Sequence, residues 1–182
     1  MSEFRVYLRA LEPEDYKTSI KWRNDDEIWS MVVGPKYFVS TAYEKKWVED
    51  AIYSKDKITL AICLKENDEY IGNASFTDID WINRSAKTST LIGEKQYWSK
   101  GLATEAKILL LKFAFYERGF NRIWATILED NIASQRMNEK CGYKKEGLLR
   151  QAVYKNGKFH NLVVMSVLKE EFDKLKKNYN WD

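Results

Sequence analysis

Apolar and polar residues alternate over Phe4-Arg5-Val6-Tyr7-Leu8-Arg9, the two-residue period of a strand. Pro13 then suits the first position of a helix, predicted to run to about Asn24 with Tyr16 and Ile20 inward. Gly34-Pro35 marks a loop. Thr41-Ala42-Tyr43-Glu44 reads as a capping box for a helix with Tyr43, Trp47, Val48, Ala51 and Ile52 on its inner face. From Lys57 the pattern turns extended. Residues 58–64, 70–76 and 86–93 form a meander, turned at Asn67-Asp68 and along the polar connection 78–83. Ala103, Ala106, Leu109, Leu110, Phe113 and Ala114 recur at helical spacing and predict a long helix that Gly119-Phe120 ends. Residues 122–128 are a strand. Asn131 caps a short helix striped with Ala133, Met137 and Cys141, and Gly142 stops it. Two last strands, 144–154 and 159–168, join through Lys155-Asn156-Gly157-Lys158, and the charged tail 169–182 is expected to fray.

The order β, α, α, β, β, β, α, β, α, β, β predicts an α/β (α+β) fold. Its core is a mixed, mostly antiparallel sheet of six to seven strands, with helices on both faces, in one domain over residues 1–182. Composition adds exclusions. Apolar residues make up 45% and charged ones 31% of 182 residues, the balance of a soluble globular chain with a full core. A net charge of +3, with bases and acids interspersed, argues against nucleic acid or an anionic membrane as partner. No run of 18 apolar residues occurs, and Met1-Ser2-Glu3-Phe4-Arg5 lacks a signal-peptide pattern, so a cytoplasmic protein is expected. Cys63 and Cys141 offer neither a disulfide framework nor a metal spacing; each falls on an apolar face and reads as core. Trp22, in Trp22-Arg23-Asn24-Asp25-Asp26, reads as a ring packed on the core beside a solvated cap.

The candidate chemistry sits in Tyr97-Trp98-Ser99-Lys100-Gly101-Leu102-Ala103-Thr104-Glu105-Ala106. This is a small-residue turn between a strand and a helix. The first N–H groups of such a helix lack partners, and the positive end of its dipole favours phosphate. Gly101 and Ala103 let a pyrophosphate approach the backbone, and Lys100 adds a charge.

Together with the segment Asn131-Ile132-Ala133-Ser134-Gln135-Arg136-Met137-Asn138-Glu139-Lys140-Cys141-Gly142-Tyr143, this order resembles the GCN5-related N-acetyltransferase (GNAT) superfamily. The branch is that of the ribosomal-protein alanine N-acetyltransferases and spermidine acetyltransferases. Trp98-Ser99-Lys100-Gly101-Leu102-Ala103 stands where the superfamily has Gln/Arg-x-x-Gly-x-Gly/Ala. Asn131, Ser134, Lys140, Gly142 and Tyr143 match its later Asn-x-x-Ser/Ala and Lys-x-Gly-Phe/Tyr signature. The resemblance implies a GNAT fold and acetyl-CoA as cosubstrate, without a metal. It implies that Leu91, Ile92 and Gly93 pair with the pantetheine arm as an added strand would. Trp98, Ser99, Lys100, Gly101, Leu102, Ala103 and Thr104 would hold the pyrophosphate. Asn131 would bond the pantetheine or thioester end with Ser134 close by, and Asn138 would lie in the same cleft. The plain alternatives are a sheet-edge strand, a helix cap and a surface serine.

The implied chemistry is direct attack of a neutral primary amine on the thioester, with a carboxylate or water taking its proton and backbone N–H groups stabilising the oxyanion. Three positions depart from common family patterns. Asn138 stands where many relatives have a tyrosine acid, which leaves Ser134 as the hydroxyl candidate. Lys87 stands where many have a glutamate, and His160-Asn161 where an aspartate often follows the last turn. Glu129 and Asp130 are acid/base candidates beside Asn131; Asp78 and Asp80 are others, with surface roles the plainer reading of all four. His160, the only histidine, reads more readily as a surface or half-buried residue than as a base. The acceptor stays open between a protein N-terminal alanine, another small amine and a polyamine. For a polyamine, Glu12, Asp15, Asp25, Asp26 and Glu44 would have to converge. A non-catalytic acyl-CoA sensor is the reading from another class. Exposed aromatics in the last hairpin would suit a homodimer.

Overall fold

A computed structural model of the chain describes residues 4–34 and 38–175. Pro35 of the expected loop, the residues before Phe4 and the end of the tail, 176–182, lie outside the described residues. Strands β1 (Val6–Ala10), β2 (Ile58–Leu64), β3 (Tyr70–Asp80), β4 (Ser85–Ile92), β5 (Arg122–Leu128), β6 (Lys144–Lys155) and β7 (Lys158–Leu168) form one sheet. Its order is β1-β2-β3-β4-β5-β7-β6. All neighbours are antiparallel except β4 and β5, because the helix between those two returns the chain to the same edge.

The two faces of β2 show how the layers are filled. Ala61 and Cys63 pack with Leu11, Trp22, Ile28, Ala51 and Tyr70, beneath α1 (Tyr16–Arg23), α2 (Asp26–Met31) and α3 (Thr41–Tyr53). Ile62 and Leu64 point the other way, into a larger core with α4 (Leu102–Lys112), α5 (Ile132–Lys140) and α6 (Lys169–Leu175). Helices therefore cover both faces, as the element order implies.

Several local expectations are corrected. Residues 13–23 form a 3-10 turn and α1, and α2 follows as a separate helix because the Asp25 carboxylate caps it, accepting from Glu27 N and Ile28 N. The cap of α3 is Ser40, whose hydroxyl accepts from Tyr43 N at 3.1 Å; Glu44 turns inward and Tyr43 faces solvent. Strand β3 continues through Asp80, so only the end of the polar connection is a turn. The long helix is α4 extended by a π-helical turn, Phe113–Glu117, and is buried nearly all round; Lys107, Ile108 and Leu111 join its predicted stripe. On α5 the inward face is Gln135, Asn138 and Cys141, while Ala133 is exposed. The tail does not fray at its start: Phe172 of α6 is fully buried and fixes that helix to the core. Trp22 is core, with its ring 4.8 Å from that of Tyr70. Both cysteines are buried and free; burial pushes the Cys141 thiol up to about 12, which leaves it inert. Tyr154 and Phe159 of the last hairpin are exposed, as expected there.

Candidate active site

The parallel ladder between β4 and β5 is short. It pairs Ser85 with Arg122, Ala86 with Ile123 and Lys87 with Trp124, and then stops. Beyond it β4 runs on to Ile92, while β5 follows β7 up to the pair Leu128 and Leu162. The two strands part at their carboxyl ends, where open sheets place ligands, so beyond Lys87 no strand lies against this edge of β4. At the fork Thr88 Oγ1 lies 3.4 Å from the Trp124 carbonyl. Leu91, Ile92 and the following Gly93 lie at the end of β4 beside this gap. Gly93 has a further reason to be glycine: a Cβ there would meet the Trp22 ring at 1.9 Å.

The start of α4 borders the same gap. Gly101 is its N-cap residue at φ 83, and no side chain caps the helix. Thr104 N and Glu105 N bond the Gly101 carbonyl, so the ladder begins there and leaves the Leu102 and Ala103 amides ahead of it. Two contacts fix this turn. The Trp98 indole N–H donates to the Ile92 carbonyl at 2.8 Å, tying the turn to the end of β4. Arg5 Nη2 donates to the Lys100 carbonyl at 2.7 Å and to Glu105 Oε1 at 2.6 Å, while Arg5 N donates to Glu105 Oε2. Leu102 sends its side chain into the core, whereas Ser99 (φ 58), Lys100 and Gly101 stay exposed. Arg5 was invisible as a site residue, because only the fold brings residue 5 beside residue 100.

Across the gap, Asn131 Oδ1 accepts from Ser134 N at 3.0 Å and its Nδ2 donates to the Met31 carbonyl, so its amide caps α5 and holds the end of α2. The Ser134 hydroxyl forms no hydrogen bond among the described residues. Asn138 is buried; its Nδ2 donates to the Ser134 carbonyl at 2.8 Å, and its Oδ1 has no hydrogen-bond partner among the described residues. Where β5 ends, Glu129, Asp130, Gln151, Lys158, His160 and Asn161 surround a polar cavity of about 280 Å³. His160 Nδ1 sits 3.5 Å from Asp130 Oδ2, and its Nε2 is 3.1 Å from the Lys155 carbonyl. Sequence spacing alone did not bring His160 to Glu129. Asp78 and Asp80 lie at the end of β3, where Asp80 accepts from Ile82 N and Asn83 N of the turn that follows. Lys87 places its ammonium 5.1 Å above the Trp124 ring.

Beneath the fork lies a fully buried cation. Lys107 Nζ donates to Thr88 Oγ1 at 3.0 Å, and that hydroxyl pairs with Tyr143 Oη at 2.8 Å. No carboxylate accompanies it among the described residues, and burial lowers its pKa to about 8. Of the N-terminal carboxylates, Asp15, Asp25 and Glu44 are already engaged. Asp15 takes a bidentate pair from Arg9, at 2.8 Å for each bond. Asp25 and Glu27 hold Lys95 at 2.8 and 2.9 Å. Glu44 is buried against Ser19 and, at 3.2 Å, Arg23. They do not converge on one open site.

A strand pair that parts beside an uncapped helix start leaves a cleft whose free amides and positive helix end suit a phosphate-bearing ligand. A family model described as an acetyltransferase (GNAT) domain matches residues 5–144. The chain belongs to that family and is an N-acetyltransferase. It is 31% identical over 170 residues to N-acetyltransferase p20 of Bacillus licheniformis, itself uncharacterised, covering 92% of this chain and 95% of the relative. It is 23% identical to the spermidine N(1)-acetyltransferase of Escherichia coli, over 94% of this chain and 90% of that one. The fold is similar to that of spermidine N-acetyltransferase from Vibrio cholerae, solved with CoA and spermine. The TM-score is 0.86 at 22% identity, over 93% of this chain and 99% of that chain.

Proposed function

We propose that the chain moves an acetyl group from acetyl-CoA to a single primary amine, a peptide N-terminus or a small molecule, by direct attack. The observation that carries this reading is the gap between β4 and β5 opening beside the free amides of α4. The CoA complex of the Vibrio neighbour supports the donor. In this reading the edge of β4 at Leu91 and Ile92 receives the pantetheine arm, and the turn from Trp98 to Thr104 receives the pyrophosphate. Asn131, Ser134 and Asn138 flank the thioester end.

The amine must be neutral to attack. An α-amino group with pKa of about 8 needs little help, whereas a lysine-like amine near 10.4 needs more. Glu129, at the mouth of the polar cavity, is the base of this proposal, taking the proton directly or through a water. Ser134 is the hydroxyl that serves the departing thiolate, since Asn138 has no acidic proton to give. Asp15, Asp25 and Glu44 are paired internally, which argues for a single amine over a polyamine. The spermidine-acetylating relatives favour the second reading, in which a polyamine is the acceptor.

Release of free thiol from acetyl-CoA, measured with an Ala-starting peptide, spermidine and an aminoglycoside, tests the proposal. We expect turnover with the peptide above the others. Turnover confined to spermidine would support the polyamine reading. Tight binding of acetyl-CoA without turnover on any amine would instead mark a sensor.

A further inference from the structure

Asn161 stands where three strands lose their regular pairing. Strand β5 has just ended at Leu128, opposite Leu162. On the other side, β6 pairs Leu149 with Leu162 and Val153 with His160, so Arg150, Gln151 and Ala152 all face Asn161. The bulge puts Gln151 at φ 52, a left-handed conformation that a non-glycine residue holds only when its surroundings over-determine it. Asn161 supplies that determination. Its Oδ1 accepts from Gln151 N at 2.7 Å, replacing the ladder bond that the bulge removes. Its Nδ2 donates to Glu129 Oε2 at 2.8 Å, and its carbonyl accepts from Glu129 N at 3.1 Å.

We infer that Asn161 is a positioning residue for acetyl transfer: it anchors the Glu129 carboxylate to the β6 bulge and aims its free oxygen into the polar cavity. The inference rests on the proposed role of Glu129 as base. Glu129 is an exposed side chain at a strand end, and without this bond its rotamers are free. A base that is not held within hydrogen-bond reach of the amine loses the advantage of orientation. The charged groups around it are Asp130 and His160, which face each other, and Lys158; none of these makes a bond to Glu129 among the described residues.

Asn161→Asp separates the two bonds. An aspartate still accepts from Gln151 N, so the bulge keeps its anchor, but it cannot donate to Glu129 and sets a like charge beside it. The measurements are the pH profile of kcat/KM with the amine that gives turnover, KM for acetyl-CoA and the melting temperature. They are made on the wild type, Asn161→Asp and Glu129→Gln. The expected result for Asn161→Asp is a fall in kcat of about 10-fold or more at pH 7. The acid limb of its profile should move to higher pH, with KM for acetyl-CoA and the melt unchanged. A wild-type profile in Asn161→Asp beside an inactive Glu129→Gln would overturn the inference alone. Full activity in Glu129→Gln would overturn the role of Glu129 and the inference with it. If Asn161→Asp does not fold, Asn161→Ala combined with Gln151→Gly, which relieves the left-handed backbone, carries the same reading.

Discussion

Lys107 lies fully buried under the fork with one hydroxyl partner and the face of Tyr143, its ammonium 5.4 Å from the ring centroid. A lysine whose pKa falls from 10.5 to about 8 on folding carries a penalty of about 3 kcal/mol in its charged form. The sign follows from proton binding. Below about pH 8 both folded and unfolded states are protonated and the penalty is complete. Between about 8 and 10.5 the unfolded chain holds the proton that the folded one has released, so stability rises with pH. Lys107→Met should therefore stabilise the protein by about 1–3 kcal/mol at pH 7 and remove that rise, as read by urea unfolding across pH 7 to 10.5. A less stable methionine variant would mean that the Lys107–Thr88–Tyr143 chain holds the fork together. The carboxylates tell a related story. Their identities were plain in the sequence, but their neutralisation was not, because Arg9, Arg23 and Lys95 meet them only through the packing of β1, α1, α3 and the loop after β4.

Among the elements, the turn into α4 is held from a distant strand. The backbone N–H and guanidinium of Arg5 grip Glu105, and the guanidinium also binds the Lys100 carbonyl, which fixes the loop that carries the free amides. Arg5→Ala should raise KM for acetyl-CoA by roughly 3- to 10-fold and leave kcat near its wild-type value, since it loosens donor binding and not the chemistry. Steady-state kinetics at saturating amine checks this, and a loss in kcat alone would count against it. The strands and α4 were legible because apolar periods of two and of three to four are local signals. The failures were local competitions. Ser40 displaced Thr41 as a cap, and the Asp25 cap started a helix, Asp26–Met31, that the sequence pattern did not predict. On α5, Gln135 and Asn138 took inward places that an apolar stripe would not predict, since each makes a hydrogen bond to a nearby carbonyl. Phe172 anchored a tail whose charge suggested fraying.

For the whole molecule, the sheet is closed from β1 to β4 and from β5 to β6, and opens only where the parallel pair parts. The turn into α4 and the polar cavity at Glu129 both lie at the carboxyl ends of these strands, an arrangement that suits the proposed direct transfer between two bound substrates. The half of this proposed for the donor was readable in the chain, because a small-residue turn between strand and helix is contiguous. The half proposed for the acceptor was not. It is assembled from residues 129–130, 151 and 158–161, and a bulge in β6 decides which of them face inward. No helix among the described residues is long and apolar enough to cross a membrane, and no group of metal-ligating residues is found among them.

The central claim is that acetyl-CoA binds at the α4 start beside the open edge of β4. Gly101, at φ 83, has room for a Cβ, whose nearest neighbour would be the Arg5 guanidinium at 3.5 Å, so Gly101→Ala tests backbone strain alone. Gly101→Glu adds bulk and a negative charge where the pyrophosphate would sit. Titration calorimetry of acetyl-CoA into the wild type and both variants is the most direct test. Binding to the wild type, a modest loss in Gly101→Ala and no detectable heat with a folded Gly101→Glu are expected. Unchanged affinity in Gly101→Glu would contradict that claim.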